Sequence, residues 1–437
     1  MSLVDNLDST LNTAEELTSI EDLTGLLDSG ILNQAFKEAG VATIRKRRLP
    51  LDAVMWSVIG MSMFRHESIW DIASHLDISL PSKNKLVAPS ALVQARQRLG
   101  YEAVMHTFKG LAARAFDKNT FEKWHGLNLL AVDGVMYRTQ DNKQNREAFG
   151  SESHAKGENS YPQIRMCCLM ELSSHLILAS EFDARKVGEL SLAQRLVPEV
   201  PDDSLTLFDR GYYSLGFLHS WQNAGKNTHW MIPARKDSAY KVVKKLGKND
   251  AIVTMNTTWQ ARDKYEGLAD KIEVRLTSYQ LDGKTYSIFS SLTDNMKYPY
   301  ESVISVYVER WEIELGYREI KQTMLHSSIT LRSKKPKMVI QEVWGLLLAY
   351  NLVRIAMIDA VKNEEITPNR LSFSHCSRHV FIFFLTTSIR SAGKLPVRYN
   401  DLMETLKLFA LPDKRTDRKF PREVRKRPSK YSVKKRK

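Results

Sequence analysis

The chain has 437 residues, and 43% of them are hydrophobic, which is enough to bury a core and too many for a mostly disordered protein. Three cysteines in this length exclude a disulfide-stabilised scaffold, so we expect a reducing, intracellular compartment. The first residues, MSLVDNLDST, lack the basic and apolar segments of a signal peptide. No apolar run approaches the roughly 20 residues that cross a bilayer, so no membrane partner is expected.

The positive charge is concentrated at one end of the sequence. Lys and Arg number 64 against 50 Asp and Glu, which gives a formal net charge of +14. Residues 414–437 contain 13 Lys and Arg and only two acidic residues, so this basic tail holds most of the excess. Such a tail favours contact with a polyanion such as nucleic acid, with an affinity that falls as salt rises. The alternative is a solubilising tail without a specific partner.

Residues 1–125 are predicted to form a helical N-terminal domain. Apolar residues recur at helical spacing over 51–64 and 68–76. Pro89-Ser90 is predicted to start a helix over 91–99 that stops at Gly100. Arg reads guanine and Gln reads adenine in the major groove, so this helix is predicted to contact DNA through Gln94, Arg96, Gln97 and Arg98. The alternative is an ordinary basic helix in a bundle.

From Leu127 onward the hydrophobic pattern changes to that of strands, and strands with an intervening helix predict an α/β core. The predicted strands are LNLLAVD, YPQIRMCCLMEL, HLILASEF, LTLF and HWMIP, with a helix over 188–196. Alternating runs between Gly and Asp predict an antiparallel β-rich insertion at 235–298. A long helix over 301–324 and further helices beyond residue 336 are predicted to follow.

Three acidic residues are candidates for a metal site. Asp133 is predicted to end the strand LNLLAVD and Asp209 the strand LTLFD, and α/β sheets bind ligands at the carboxyl ends of strands. Glu314 lies within the long predicted helix. Three such carboxylates suit two divalent metals about 3.5–4 Å apart, as used in phosphoryl transfer, and oxygen ligands favour Mg or Mn. Taken singly, each residue is more typical of a turn, a cap or a solvent-facing helix position.

The helix around Glu314 carries a stripe of polar side chains. Tyr307, Arg310 and Lys321 stand at offsets of −7, −4 and +7 from Glu314, which return to nearly the same side of a helix with 3.6 residues per turn. A carboxylate flanked by cations suits a phosphodiester held against a metal, with Arg310 able to bind it bidentately. The alternative is a set of ordinary helix salt bridges.

This stripe resembles a known signature. Tyr307-x2-Arg310-x3-Glu314-x6-Lys321 is similar, in residue type and spacing, to the YREK signature of bacterial DDE transposases of the insertion-sequence-four family. AVDG resembles the first-aspartate strand of that family, and LTLFDRGYYS resembles its second-aspartate block. VAPSALVQARQRLG and LRSKKP…QEVWGLLLAYNLVR resemble the segments before and after the catalytic core. The resemblance covers roughly residues 20–430.

The resemblance implies an α/β fold with a ribonuclease-H-like catalytic core that is interrupted by a β-rich insertion and flanked by helical N-terminal and C-terminal regions. The implied segments are a DNA-end-binding domain at 1–125, the first part of the core at 126–234, the insertion at 235–298, the core helix with the catalytic Glu at 299–335, a helical region at 336–413 and the basic tail at 414–437.

The resemblance also implies cut-and-paste transposition by nicking, hairpin formation, hairpin opening and strand transfer. The metal-binding catalytic triad would be Asp133, Asp209 and Glu314, with two Mg (or Mn) ions per active site. The implied DNA contacts are Tyr307, Arg310 and Lys321 near backbone phosphates, Trp311 as an aromatic that disturbs base stacking, and Arg210 beside the second aspartate. Tyr286, Trp230 and Trp259 are weaker candidates for a second stacking residue.

The implied partner is double-stranded DNA, both the inverted-repeat ends and the target, bound by a homodimer in the bacterial cytoplasm at the nucleoid. Two alternatives remain open at the level of sequence. One is a transposase-derived repressor that binds element ends without catalysis. The other is a structure-selective nuclease, which would cut DNA without joining it.

Overall fold

The computed structural model describes residues 29–41, 49–75, 88–119, 121–151, 153–154, 157–159, 161–235, 237–281, 283–327, 330–386, 395–412 and 433–434. The helices are α1 (Ser29–Glu38), α2 (Leu51–Met63), α3 (Ile69–His75), α4 (Pro89–Leu99), α5 (Glu102–Lys118), α6 (Lys143–Phe149), α7 (Glu189–Arg195), α8 (Leu215–Gln222), α9 (Trp259–Lys264), α10 (Tyr300–Tyr307), α11 (Trp311–Glu319), α12 (Pro336–Val361), α13 (Phe373–Thr386) and α14 (Leu395–Lys407).

The strands are β1 (Lys123–Trp124), β2 (Leu127–Arg138), β3 (Ser153–His154), β4 (Gly157–Asn159), β5 (Gln163–Glu171), β6 (Ile177–Ala184), β7 (Ser204–Phe208), β8 (Thr228–Pro233), β9 (Lys241–Gly247), β10 (Asp250–Asn256), β11 (Lys271–Leu281), β12 (Lys284–Ser290) and β13 (Val433–Lys434). The described residues divide into two compact units. The helical unit comprises those within 1–119, 137–163 and 319–437, and the sheet unit those within 120–136 and 164–318.

The sheet unit is built on one mixed sheet with the strand order β6-β5-β2-β7-β8-β12-β11-β10-β9, and β1 pairs with β2 outside this path. Numbered along the chain, its first five core strands have the order 3-2-1-4-5. Strands β2, β7 and β8 are parallel, whereas β5 and β6 are antiparallel. Every residue of β7 is buried, as expected for a central parallel strand covered on both faces. The predicted α/β core is confirmed.

The segment predicted as a β-rich insertion continues this same sheet. Strands β9 to β12 form consecutive antiparallel pairs, and β12 pairs with β8 through Phe289 and Ile232. Strand β9 was not predicted, because its sequence KVVKKLG is Lys-rich and almost wholly exposed. A single apolar cluster runs from the core strands into β10 and β11, with members such as Leu130, Phe208 and Val274.

The helical unit packs around α12, a 26-residue helix whose residues are nearly all buried. Helices α2, α5, α13 and α14 contact it. A Cβ at Gly345 would lie 2.7 Å from Val58 Cγ1, so this glycine permits the close approach of α2 and α12. Among the described helices, α12 is long and apolar enough to cross a membrane by length and composition. Its most apolar stretch is 94% buried in the protein, which is typical of a core helix.

Several predicted elements differ in their bounds. The long helix predicted over 301–324 is a succession of α10, a 3-10 turn at Val308–Arg310, α11 and a π-helical turn at Ile320–Met324. Helix α4 begins at Pro89, and Gly100 terminates it with φ = +73°, both as predicted. Most of the basic tail at 414–437 lies outside the described residues. Within it, Val433–Lys434 forms β13, which pairs with β4 in a three-stranded sheet with β3.

Candidate active site

Two aspartates lie at the end of a parallel ladder in the sheet unit. The last paired residues of β2 and β7 are Val132 and Phe208, so the next residue on each strand is an aspartate, Asp133 and Asp209. Neighbouring strands are about 4.8 Å apart, which places the two residues side by side at one edge of the ladder. The prediction that Asp133 ends its strand was wrong, because β2 continues to Arg138. Only its pairing with β7 stops there.

Each aspartate accepts a hydrogen bond from the backbone that follows it. Gly134 N donates to Asp133 Oδ1 at 2.8 Å, and Arg210 N donates to Asp209 Oδ1 at 2.6 Å. The second bond caps the 3-10 turn Arg210–Tyr212. Asp133 is half-buried and Asp209 is exposed. In both cases the chain turns an oxygen back to its own backbone and leaves the other oxygen for a different partner.

Two tyrosines attach the helical segment to the ends of these strands. The Tyr307 hydroxyl on α10 donates to the Phe208 carbonyl at 3.1 Å, immediately before Asp209. The Tyr317 hydroxyl on α11 donates to the Asp133 carbonyl at 2.5 Å. Glu314 lies between these two attachment points along the chain. The structure therefore fixes the helical segment that carries Glu314 against the end of the β2–β7 ladder, where both aspartates lie.

Glu314 is paired with an arginine of the same stripe. Arg310 Nη2 lies 3.3 Å from Glu314 Oε1, an i,i+4 pair in which the glutamate side chain is 39% exposed. The Arg310 guanidinium also lies 4.8 Å from the ring centroid of Trp311, a cation–π distance. Trp311 is half exposed. The Arg310 guanidinium, whose side chain is only 11% exposed, thus contacts both the glutamate and the indole.

The electrostatic environment of Asp133 is that of a carboxylate short of positive charge. Burial raises the pKa of the Asp133 carboxyl to about 6. The Gly134 backbone bond lowers this pKa, and the Glu189 carboxylate raises it. Arg310 lowers the pKa and Glu314 raises it, both more weakly. Negative charge gathered around a half-buried carboxylate is the arrangement that a cation stabilises.

The donor chemistry fits a hard divalent cation, because the candidate ligands are all carboxylate oxygens. As the side chains are placed, however, no group of three or more His, Cys, Asp and Glu in the described part of the chain stands close enough to hold a metal ion. The described residues therefore do not form the predicted convergence of three carboxylates. The backbone bonds of the aspartates and the Arg310–Glu314 pair are the contacts that a metal ion would compete with.

A buried pair gives the catalytic helix a third attachment. His175 Nε2 lies 2.9 Å from Glu312 Oε2, and both side chains are more than nine-tenths buried. His175 stands between β5 and β6 with φ = +59°, in the left-handed region. Glu312 precedes Glu314 by two residues on α11. Sequence analysis missed His175, Glu312 and Tyr317, because nothing in their local spacing marks them.

Comparison with known proteins identifies the family. A family model described as insertion element 4 transposase N-terminal matches residues 17–109, and one described as transposase DDE domain matches residues 124–352. The transposase InsG for insertion sequence element IS4 of Escherichia coli K12 is 45% identical over 99% of this chain and 96% of its own length. This chain belongs to the IS4 family of DDE transposases. It is thus a DNA-binding enzyme that depends on divalent metal.

Other similarities are weaker. The putative transposase InsZ of Escherichia coli K12 is 37% identical over 46% of this transposase and 67% of its own length. A solved structure, the piggyBac transposase synaptic complex with hairpin DNA, covers 92% of this chain with 10% identity and a TM-score of 0.43, and 87% of that chain is covered. A similarity at that level carries no argument about fold or function.

The last residue of the YREK stripe lies beyond a change of helix geometry. Lys321 of the transposase belongs to the π-helical turn Ile320–Met324, which is part of the helical unit. The predicted stripe assumed 3.6 residues per turn from Tyr307 to Lys321. The observed segment contains both a 3-10 turn and a π turn, so the spacing alone does not place Lys321 on the side of Glu314.

The three additional aromatic candidates have different environments. Trp230 is buried in the sheet core, and its indole Nε1 donates to Gln222 Oε1 at 3.2 Å, so it is structural. Trp259 is exposed at the start of α9. Tyr286 on β12 is exposed and stacks on Tyr279 of β11, with ring centroids 5.5 Å apart.

Helix α4 exposes three of the four side chains that were predicted to contact DNA. Gln94, Gln97 and Arg98 are exposed. Arg96 is a correction, because its guanidinium points into the helical unit. There it donates to Gln341, Ser333 and the Met338 carbonyl at 2.6–3.0 Å. A guanidinium with these partners supports the packing of α4 and is not displayed to a DNA groove.

Proposed function

We propose that this transposase moves an insertion sequence by cut-and-paste chemistry, with Asp133, Asp209 and Glu314 as the ligands of two divalent ions, Mg or Mn. Such ions supply activation of the attacking water or 3′-hydroxyl and stabilisation of the leaving oxygen. The observation that carries the proposal is the parallel ladder that ends at both aspartates, with Tyr307 and Tyr317 bonded to its last carbonyls. Glu314 lies between the two tyrosines along the chain and would complete the ligand set.

The side chains around the triad are suited to the DNA strand. Arg310 is released when Glu314 changes partner, and its planar guanidinium then binds a backbone phosphate bidentately. The exposed Trp311 offers a surface on which an extruded base stacks, which stabilises the unpaired base of a hairpin intermediate by about 1–3 kcal/mol. Further contacts with phosphates come from Arg210, which is exposed in the 3-10 turn after Asp209, and from Lys321. Tyr286, stacked on Tyr279, is a second candidate for base stacking.

The DNA partners are the inverted-repeat ends of the element and the target duplex. Helix α4 reads an end through Gln94, Gln97 and Arg98, which are exposed on one face. The basic tail at 414–437 adds a sequence-independent contact with phosphates. We propose a homodimer in the end-paired complex, at work on the nucleoid in the bacterial cytoplasm.

The proposal is tested with labelled element-end DNA and Mg²⁺. Asp133→Asn is expected to bind the end as the wild type does and to produce no nick, because the lost charge serves the metal ions. Asp263→Asn, at an exposed aspartate of α9, is the matched control and keeps wild-type cleavage. Cleavage by Asp133→Asn would refute the triad assignment.

The same assay separates the alternatives. End binding without nicking by the wild type would favour a repressor, and cleavage without joined products would favour a structure-selective nuclease. Lys321→Ala is expected to slow hairpin formation more than the first nick. Equal slowing of both steps would contradict the role proposed for Lys321.

A further inference from the structure

A buried arginine of α12 binds the last residue of α11. The Arg354 side chain is fully buried and forms an ion pair with Glu319, whose side chain is 19% exposed. Arg354 Nη2 donates to Glu319 Oε2, and Arg354 Nε donates to the Tyr350 hydroxyl at 3.2 Å. The same hydroxyl donates to Glu319 Oε2 at 2.8 Å. A guanidinium and a phenol of α12 therefore hold one carboxylate oxygen of Glu319.

Aromatic rings fix the guanidinium in this place. Arg354 Cζ lies 5.0 Å from the ring centroid of Phe373 on α13 and 5.5 Å from that of Tyr350, both cation–π distances. The two rings are themselves in contact, with centroids 5.0 Å apart. The position of Glu319 is thus set by side chains from both α12 and α13.

Glu319 stands directly before the π-helical turn that carries Lys321. Leu325 N donates to the Ile320 carbonyl, five residues back, at 2.9 Å. Ile320 and Met324 are buried, and the turn packs against α12. Such turns interrupt α-helices mostly at functional sites. Because Lys321 follows Glu319 by only two residues, its orientation depends on how the chain is held at Glu319.

The polar character of this group suits a directional role. Replacement of a buried ion pair by apolar side chains of similar volume is often neutral or stabilising, so packing alone does not require Glu319, Tyr350 and Arg354. Charge-assisted hydrogen bonds between a guanidinium and a carboxylate also impose a geometry, which apolar contacts do not. One orientation of the end of α11 satisfies them, and this orientation sets the start of the π-helical turn.

We propose that Tyr350 and Arg354 are positioning residues for Lys321: they fix Glu319 before the π-helical turn and so hold the lysine ammonium where it binds a DNA phosphate. The inference rests on the role proposed above for Lys321 in hairpin formation. It brings into that step buried residues that belong to neither the DDE triad nor the YREK stripe. They act through Lys321 and do not themselves touch DNA.

The first test measures the phosphate contact without turnover. Full-length protein binds element-end DNA in EDTA at a series of KCl concentrations. Lys321→Ala is expected to lower the slope of log affinity against log salt by about 0.9, the value of one phosphate contact, and Tyr350→Phe, which removes no charge, by a similar amount. Glu319→Gln is expected to weaken binding, whereas loss of an acidic charge alone would strengthen it.

The second test separates two steps of the reaction in Mg²⁺. The rate of the first nick is measured on intact ends, and the rate of hairpin formation on ends that are already nicked. Tyr350→Phe is expected to slow hairpin formation about tenfold and the first nick less than about twofold, because displacement of one binding group costs up to about a hundredfold. Added to Lys321→Ala, it is expected to cause no further slowing, because both changes remove the same contact.

Tyr399→Phe is the matched control. It removes a hydrogen bond of the same length, 2.8 Å, between a tyrosine and the carboxylate of Asp359, within the same helical unit. We expect it to leave the salt slope and both rates unchanged. The melting temperatures of Tyr350→Phe and Tyr399→Phe show how much of any effect is a loss of folding.

The outcomes separate this inference from the proposed function. A lower salt slope and selective slowing of hairpin formation in Tyr350→Phe, without additivity to Lys321→Ala, support the positioning role. If Lys321→Ala shows both effects while Tyr350→Phe shows neither, or slows both steps equally, the positioning role is overturned and Lys321 keeps its own. If Lys321→Ala changes neither the slope nor the hairpin rate, the role of Lys321 is overturned and this inference with it.

Discussion

Replacement of the first aspartate is expected to stabilise the metal-free protein while it abolishes catalysis. Burial raises the pKa of Asp133 from 3.8 to about 6, and at 1.36 kcal/mol per pKa unit this corresponds to about 3 kcal/mol against the charged form. Asp133 is half-buried, so water screens part of this cost, and we expect a gain of about 1–3 kcal/mol for Asp133→Asn at neutral pH. The amide oxygen can still accept the Gly134 backbone bond.

The pH dependence of this gain has a definite sign. The folded-state pKa of Asp133 is higher than the unfolded-state pKa, so the protonated carboxyl favours folding. Below pH 4 the wild type keeps the contribution of the protonated carboxyl to the free energy of unfolding. It loses this contribution as the pH rises through about 6, and at higher pH the loss is constant. Asparagine does not titrate. The stability difference between variant and wild type should therefore be full at pH 7.5 and should close as the pH falls towards 4.

Thermal unfolding in EDTA measures the effect. At roughly 2–4 °C per kcal/mol for a unit of this size, the melting temperature of Asp133→Asn should exceed that of the wild type by roughly 2–12 °C at pH 7.5. Added Mg²⁺ should narrow the difference, because the ion binds the wild type more tightly. Asp263→Asn serves as the control. A variant that melts at or below the wild type in EDTA would refute the view that Asp133 is an unfavourable charge awaiting a cation.

Three further predictions concern the attachments of the site and the DNA-binding helix. Tyr317→Phe removes the buried hydroxyl that donates to the Asp133 carbonyl, so the free energy of unfolding in urea should fall by about 1 kcal/mol and nicking should slow while end binding is kept. Arg96→Ala should lower the melting temperature by removing a guanidinium with three partners, whereas Arg98→Ala should leave it unchanged and weaken DNA binding in a gel-shift assay. Glu342→Gln should lower the free energy of unfolding in urea by about 3–5 kcal/mol, because it removes the negative charge that faces Arg65 and Arg332.

The parts of the fold that follow from local pattern were predictable. The run LTLFD gave both the strand β7 and the aspartate after it, because a short apolar run followed by a polar residue is typical of a buried parallel strand. Pro89 and Gly100 marked the two ends of α4. Strand β9 was not predictable in this way, because its exposed lysines give no apolar alternation and its pairing with β10 decides its conformation.

The inward orientation of Arg96 was available from the sequence and was overlooked. Leu92, Ala95 and Leu99 form the buried face of α4. Arg96 stands four residues after Leu92 and three before Leu99, so helical spacing places it beside that face. Gln94, Gln97 and Arg98 fall on the other side. The residue types favour DNA contact at all four polar positions, whereas helical periodicity separates Arg96 from the other three.

The contacts of Glu189 and Tyr317 could not be predicted from the sequence, because each contact joins residues that are far apart in the chain. Glu189 follows a glycine at the start of a helix, a common place for an acidic residue. Only the folded chain places it against Gly134, 55 residues earlier in the sequence. Tyr317 has the spacing of an ordinary core residue of α11, and its hydrogen bond to Asp133 is visible only in three dimensions.

The contacts that position the catalytic helix differ in kind from the contacts that its carboxylate makes. Tyr307 and Tyr317 bond to backbone carbonyls, and Glu312 bonds to a buried histidine, so the position of the helix does not depend on the charge state of the triad. Among the described residues, Glu314 is held by a partly exposed pair with Arg310, which is a weak interaction. In the proposed mechanism, an ion held by Asp133 and Asp209 would compete with Arg310 for this carboxylate, and the attachments of the helix would stay in place. The same exchange frees the guanidinium for a phosphate, so ion binding and DNA binding are expected to reinforce each other at Arg310.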